Sequence, residues 1–195
     1  LRKRFLKEGF GRFWDLYIAV GIVLAAVLFF IIAVKLFFAR EGSEEIVVKL
    51  TERTPLAVTA QDDVSVTLVT KLEFANVGKQ IGTIMDAFVR PLLPYEQYDG
   101  IEVRGRAERE GAPREDDYFE AVLIEEGESI FVKAYLTLTA RKGMSLKEAV
   151  SHMVDFSAEL IYQETGRTPW RYSKATIPVR AQEVAALVSV TLADD

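Results

Sequence analysis

Hydrophobic positions follow two different rhythms along this chain. From Leu16 to Val34 they form one unbroken run without a charged residue, and Leu36, Phe37 and Phe38 extend it past Lys35. Nineteen helical residues rise ~28 Å, close to the ~30 Å hydrocarbon core of a bilayer. The run therefore predicts a transmembrane helix over 16–39. No small-x-small cleavage site follows it, because Phe37 stands where a small residue is needed before Ala39, so a retained anchor is expected rather than a leader.

Beyond the run the rhythm becomes alternating. Val64, Val66, Leu68, Leu72 and Phe74 fall on one face of a strand, with Ser65, Thr67, Lys71 and Glu73 on the other. Ser129–Ala140 repeats the pattern through Ile130, Val132, Ala134, Leu136 and Leu138, and Val184–Leu192 reads the same way. Further strands are expected at Glu45–Leu50, Leu56–Ala60, Gln80–Val89, Ile101–Glu108, Tyr118–Ile124 and Ala175–Ala181. Asn76-Val-Gly-Lys79 and Glu125-Glu-Gly-Glu128 supply hairpin turns. Short alternating strands without intervening helices predict a mainly β fold, an antiparallel β-sandwich of immunoglobulin-like kind filling 40–195.

One late amphipathic α-helix is expected near 145–165. Ser145 and Glu148 form a capping box, in which each side chain satisfies an amide of the first turn. Leu146, Ala149, Val150, Met153, Phe156, Leu160 and Ile161 follow at helical spacing, and Gly166 is a natural stop.

Charge divides the chain at the same place as hydropathy. Residues 1–40 carry seven basic and two acidic side chains; the rest carry seventeen basic and twenty-seven acidic, within an overall net charge of −5. Arg2, Lys3, Arg4, Lys7 and Arg12 make residues 1–15 a basic stub, which the positive-inside rule keeps in the cytoplasm. The expected location is the cytoplasmic membrane, with the carboxy-terminal domain periplasmic or extracellular. Trp14 and Tyr17 would lie at the inner headgroup level, while Lys35 snorkels to the outer interface. Gly21 and Ala25, four apart, form a small-residue pair that admits a neighbouring helix.

Composition narrows the chemistry. The chain has no cysteine and one histidine, which excludes disulfides, thiolate metal sites and a multi-histidine centre within one chain. A folded outer domain of this size without disulfides points to a bacterial or archaeal source. An acidic domain also disfavours nucleic acid as a partner, since phosphates need excess Lys and Arg. No nucleophile elbow, phosphate loop or dinucleotide fingerprint is present. His152 falls at the boundary of the helix stripe, in the position of a structural histidine. Asp62-Asp63, Glu115-Asp116-Asp117 and Glu125-Glu126 lie in predicted loops, where they form a solvated rim or, alternatively, a Ca²⁺ site. Trp170, Arg171 and Tyr172 follow the helix as interface candidates, because exposed aromatics beside arginine favour protein contacts.

The stretch Leu72-Glu-Phe-Ala-Asn-Val-Gly-Lys79 resembles the strand and Asn-x-Gly edge of immunoglobulin-like and LEA-2 (WHy)-type β-sandwiches of membrane-anchored bacterial proteins. That resemblance implies binding rather than catalysis, so no catalytic residue, cofactor or metal is expected. Its expected partners are the lipid bilayer and other membrane protein subunits. The functional expectation is a non-enzymatic single-pass protein serving as an accessory subunit of a membrane complex; the alternative is a tethered ligand- or cation-binding sensor.

Overall fold

The computed structural model describes residues 2–193, with side chains described at 14 and from 16 to 193. The side chains of the basic stub, Arg2 to Phe13, thus lie outside the described residues. The chain forms two compact units, up to Gly42 and from Ser43 onward.

The first unit is a single helix, α1 (Arg2–Glu41). Its Leu16–Glu41 stretch is long and apolar enough to cross a membrane, and none of it is buried in protein. Leu24, Phe29 and Phe30 are among its exposed side chains. A helix this apolar on every side is ill suited to water.

The second unit is built of two antiparallel sheets. In order along the chain its elements are β1 (Ile46–Val48), β2 (Ala57–Gln61), β3 (Ser65–Asn76), β4 (Gly82–Pro91), β5 (Ile101–Arg109), β6 (Val122–Ile124), β7 (Ser129–Ala140), α2 (Leu146–Ser151), β8 (Phe156–Thr165), β9 (Arg171–Val179) and α3 (Ala181–Leu187). The first sheet runs β1-β3-β7-β5, with β2 also pairing along β3, and the second runs β6-β4-β8-β9. Strict alternation fixes the register: β3 pairs with β7 from Ser65↔Thr139 to Ala75↔Ser129, so Val66, Leu68, Leu72 and Phe74 face inward with Val132, Ala134, Leu136 and Leu138. From the second sheet Ile84, Val89, Leu160, Tyr162 and Ile177 join the same core. Tyr162 meets Phe74 edge to face at 5.0 Å.

Two expected elements differ, and so do the two expected hairpin turns: Asn76–Lys79 leads from β3 to β4 and Glu125–Glu128 from β6 to β7, strands of different sheets, so each crosses between the sheets instead of closing a hairpin. The helix expected over 145–165 ends after Ser151, and residues 156–165 form β8. Its start is as expected: Ser145 accepts the Glu148 amide at 3.2 Å, and Leu146, Ala149 and Val150 are buried. Beyond it, Phe156, Leu160 and Ile161 fit a helical stripe while Phe156, Ala158, Leu160 and Tyr162 fit period 2, and pairing with both β4 and β9 decides for the strand. The strand expected over 184–192 does not form: its first four residues end α3, and 188–192 carry no strand. Ala181, Val184, Ala185 and Val188 are buried at helical spacing, while Ala186, inward in the strand reading, is exposed. An alanine-rich run favours helix where no strand partner remains.

Candidate functional site

The hairpin joining β8 to β9 is tied to the point where the chain enters the β domain. Glu44 is buried there. Its Oε2 accepts the Arg167 amide at 2.8 Å, and its Oε1 accepts the Thr168 amide at 3.1 Å and the Thr168 hydroxyl. Burial alone pushes this carboxyl upward in pKa, but the Thr168 hydroxyl and the backbone amides outweigh it and hold the group below its ordinary value. Gly166 is required by the close approach, since an added Cβ would lie 2.6 Å from the Glu44 Cδ.

A polar chain continues into the sheet. Arg171 donates from Nε to Glu164 Oε1 at 2.5 Å, and the Ser173 hydroxyl donates to the same oxygen at 2.7 Å. Glu164 is buried, and its Oε2 has no hydrogen-bond partner among the described residues. Burial, then the charge of Glu164, pushes the neighbouring Tyr162 hydroxyl up to about 12.

Of the three interface candidates, Arg171 therefore has its Nε engaged with the hairpin's own carboxylate. Trp170 and Tyr172 are 63% and 60% exposed, and their rings meet edge to face at 5.8 Å. Gln163 donates to the Tyr172 hydroxyl at 2.8 Å, which fixes that ring over the outer face of the second sheet.

That face carries more apolar surface than the sequence pattern suggested. Met85 pairs with Gln163 and Gln163 with Tyr172; in the next row Phe88 pairs with Ile161 and Ile161 with Lys174. Phe88 is 47% exposed because β4 bulges between Met85 and Phe88. Asp86 sits at the bulge with φ of 50°. Its amide donates to the Phe119 carbonyl at 3.3 Å, and its carboxylate accepts the Tyr118 hydroxyl at 2.9 Å. The extra residue reverses the alternation, so Ala87 turns inward and Phe88 outward. Charge enters at Lys174, within the Phe88–Ile161 row; it pairs with Glu159 in the next row, where Glu159 lies opposite Arg90.

The first sheet contrasts with it. The corresponding face there shows Thr67, Lys71, Glu73, Lys133, Arg104, Arg106 and Glu108, with Lys71 over the Phe131 ring and Arg106 over that of Tyr135. A pocket of about 280 Å³ adjoins it between Arg106, Arg114 and Tyr118. The Arg106 guanidinium there is paired with Glu108 and Asp117, and that of Arg114 with Asp116 and Glu120.

The remaining candidates are placed as follows. Asp62 turns its carboxylate onto its own loop, accepting the Val64 and Ser65 amides at 2.9 and 2.6 Å. Among the described residues, no group of three or more metal-type side chains converges. His152 caps the end of α2 and is exposed. On α1, Trp14, Tyr17, Lys35, Gly21 and Ala25 are all exposed. An added Cβ at Gly21 would meet nothing within 4 Å. Glu44, Met85, Phe88 and Ile161 escaped the sequence reading: a lone glutamate before a strand carries no signal, and the bulge that exposes Phe88 leaves no motif.

No family model matches this chain, and no curated protein matches it. Among solved structures it is similar to the GAE domain of GGA2p from Saccharomyces cerevisiae, at 6% identity and a TM-score of 0.33, over 71% of this chain and 98% of that one.

Proposed function

We propose that this chain is a single-pass membrane protein whose β domain is a non-enzymatic accessory subunit of a larger membrane assembly. Its domain is read as an immunoglobulin-like or LEA-2-type sandwich, a reading supported by two antiparallel sheets that share one core. The amino terminus is assigned to the cytoplasm on the basic excess before Leu16. The observation that carries the proposal is the asymmetry of the two outer faces. One is laced with ion pairs, whereas the other presents Met85, Phe88, Ile161 and Tyr172 side by side. A contiguous apolar patch rimmed by charge marks a protein contact. Tethering favours such a contact, because a partner in the same membrane is held at high effective concentration.

The test is native purification in mild detergent, comparing the wild-type chain with Phe88→Glu and, on the polar face, Thr137→Glu. The wild-type chain is expected to co-purify with a membrane partner. Phe88→Glu should release that partner without lowering the melting temperature, and Thr137→Glu should retain it. A wild-type chain recovered only as lone monomers, or a Phe88→Glu complex that stays intact, overturns the reading.

A further inference from the structure

The outer face of the second sheet is complementary to itself. The register sets its side chains in rows across β4 and β8: Met85 with Gln163, Phe88 with Ile161 and Arg90 with Glu159. Each row carries unlike groups on the two strands: a thioether beside an amide, a ring beside an aliphatic chain, a cation beside an anion. The charged row is incompletely paired. Glu159 is bound by Lys174 of β9, whereas Arg90 is exposed and makes no ion pair or hydrogen bond among the described residues. Apolar exposure continues to both edges of the sheet. Leu123 of β6 is 68% exposed, and Tyr172 of β9 and Trp170 just before that strand are nearly as open.

We infer that this face binds a second copy of the chain, the two related by a half-turn about a line parallel to the strands and midway between β4 and β8. The rotation leaves every residue at its own row and lays β4 of one copy on β8 of the other. Phe88 is then set on the partner's Ile161 and Arg90 beside the partner's Glu159, each contact formed twice. The sheet order β6-β4-β8-β9 also lays β9 on the partner's β6. Trp170 and Tyr172 thereby reach the partner's Leu123, and Lys174 faces a strand flanked by the exposed Glu120 and Glu125. A second copy is the occupant because one rotation both brings Arg90 to a carboxylate and covers the exposed apolar groups together. Four strands ~4.8 Å apart and the ten residues of β4 at ~3.3 Å each give a face of roughly 600 Å² per copy. That is below the ~800 Å² per partner of a standard interface, so the pair is weak and forms reversibly with concentration. The inference rests on the proposed reading of this face as a protein contact and names the partner; the accessory subunit enters its assembly as a pair.

The test uses the full chain in mild detergent, one portion carrying a donor dye and the other an acceptor, with energy transfer followed over a hundredfold range of concentration. The wild-type chain is expected to associate. Arg90→Glu, which sets a carboxylate beside the partner's Glu159 twice, should raise the dissociation constant about tenfold, and Phe88→Glu should abolish transfer. Thr137→Glu, on the other sheet, should leave it unchanged. Melting curves check that each variant is folded. The decisive measurement mixes Arg90→Glu with Glu159→Arg: each repels its own kind, whereas the mixed pair has opposite charges at both positions, so transfer should exceed that of either variant alone. If Glu159→Arg fails to fold, Arg90→Glu against Thr137→Glu decides. A mixture no better than its components overturns the inference. Transfer that survives Arg90→Glu and Phe88→Glu but is lost with Gly21→Leu places the pairing in α1 and also overturns it. A wild-type chain that stays monomeric throughout overturns it too; the proposed contact still stands if Phe88→Glu releases a different membrane protein in the native purification, and falls with it if none is released.

Discussion

Glu44 illustrates how a single side chain links the course of the chain to the stability of the domain. It is a buried carboxylate whose desolvation is offset by the Arg167 and Thr168 amides and the Thr168 hydroxyl. Removing it leaves those donors without an acceptor. Glu44→Ala is therefore expected to destabilise the β domain by about 2 kcal/mol, measured by urea denaturation at neutral pH. The sign of the pH effect follows from the depressed pKa of the folded carboxyl. The stabilisation is fully present above the ordinary glutamate range, near pH ~4.3, and is lost as pH falls through the lower folded value. A Glu44→Gln chain, with nothing to titrate at this position, should show a shallower loss of stability below about pH 4 than the wild-type chain. Equal slopes would mean the carboxylate is not held as described.

At the level of elements, the bulge in β4 decides which residues are available for contact. Regular alternation from the buried Ile84 would send Phe88 into the core and Ala87 out; one inserted residue at Asp86 does the reverse. The left-handed backbone at Asp86 disfavours β-branched side chains. Asp86→Val should therefore cost about 1–2 kcal/mol from the backbone alone, in addition to the Tyr118 bond. Asp86→Gly, losing the same bond but free to adopt that φ, should cost less. Chemical denaturation of the pair separates the two contributions, and equal losses would locate the effect in the hydrogen bond instead. The same scale explains the reassigned helix. Residues 156–165 carry an apolar pattern compatible with both periods, and the choice depends on β4 and β9 being free on either side, a long-range condition.

For the whole molecule, the separation into two units has an energetic consequence. The core is drawn entirely from residues of the β domain, and a domain of roughly 150 residues buries enough surface to fold without staples. Residues 43–195 expressed alone should give a β-rich circular dichroism spectrum and a single cooperative melt. A non-cooperative melt would show that the domain depends on the anchor or the membrane. The contrast between the two outer faces also exists only at this scale, because it depends on how six strands bring Met85, Phe88, Ile161 and Tyr172 together on one side, and Lys71, Lys133, Arg106 and Glu108 on the other.

What could be read directly from the residues is whatever depends on neighbours in the chain. The apolar run after Leu16, the alternation of β3 and β7 and the Ser145 cap are local patterns, and local sterics and hydropathy settle them. Trp170 and Tyr172 were legible as candidates for the same reason, being aromatic residues beside an arginine outside any apolar stripe. Folding in three dimensions alone decided the rest: the buried Glu44, the inward commitment of Arg171, the outward turn of Phe88, and the choice of strand or helix over 156–165 and 181–187. Each of these depends on the free energy of pairing or burying groups far apart in sequence, for which a single stretch of chain carries no code.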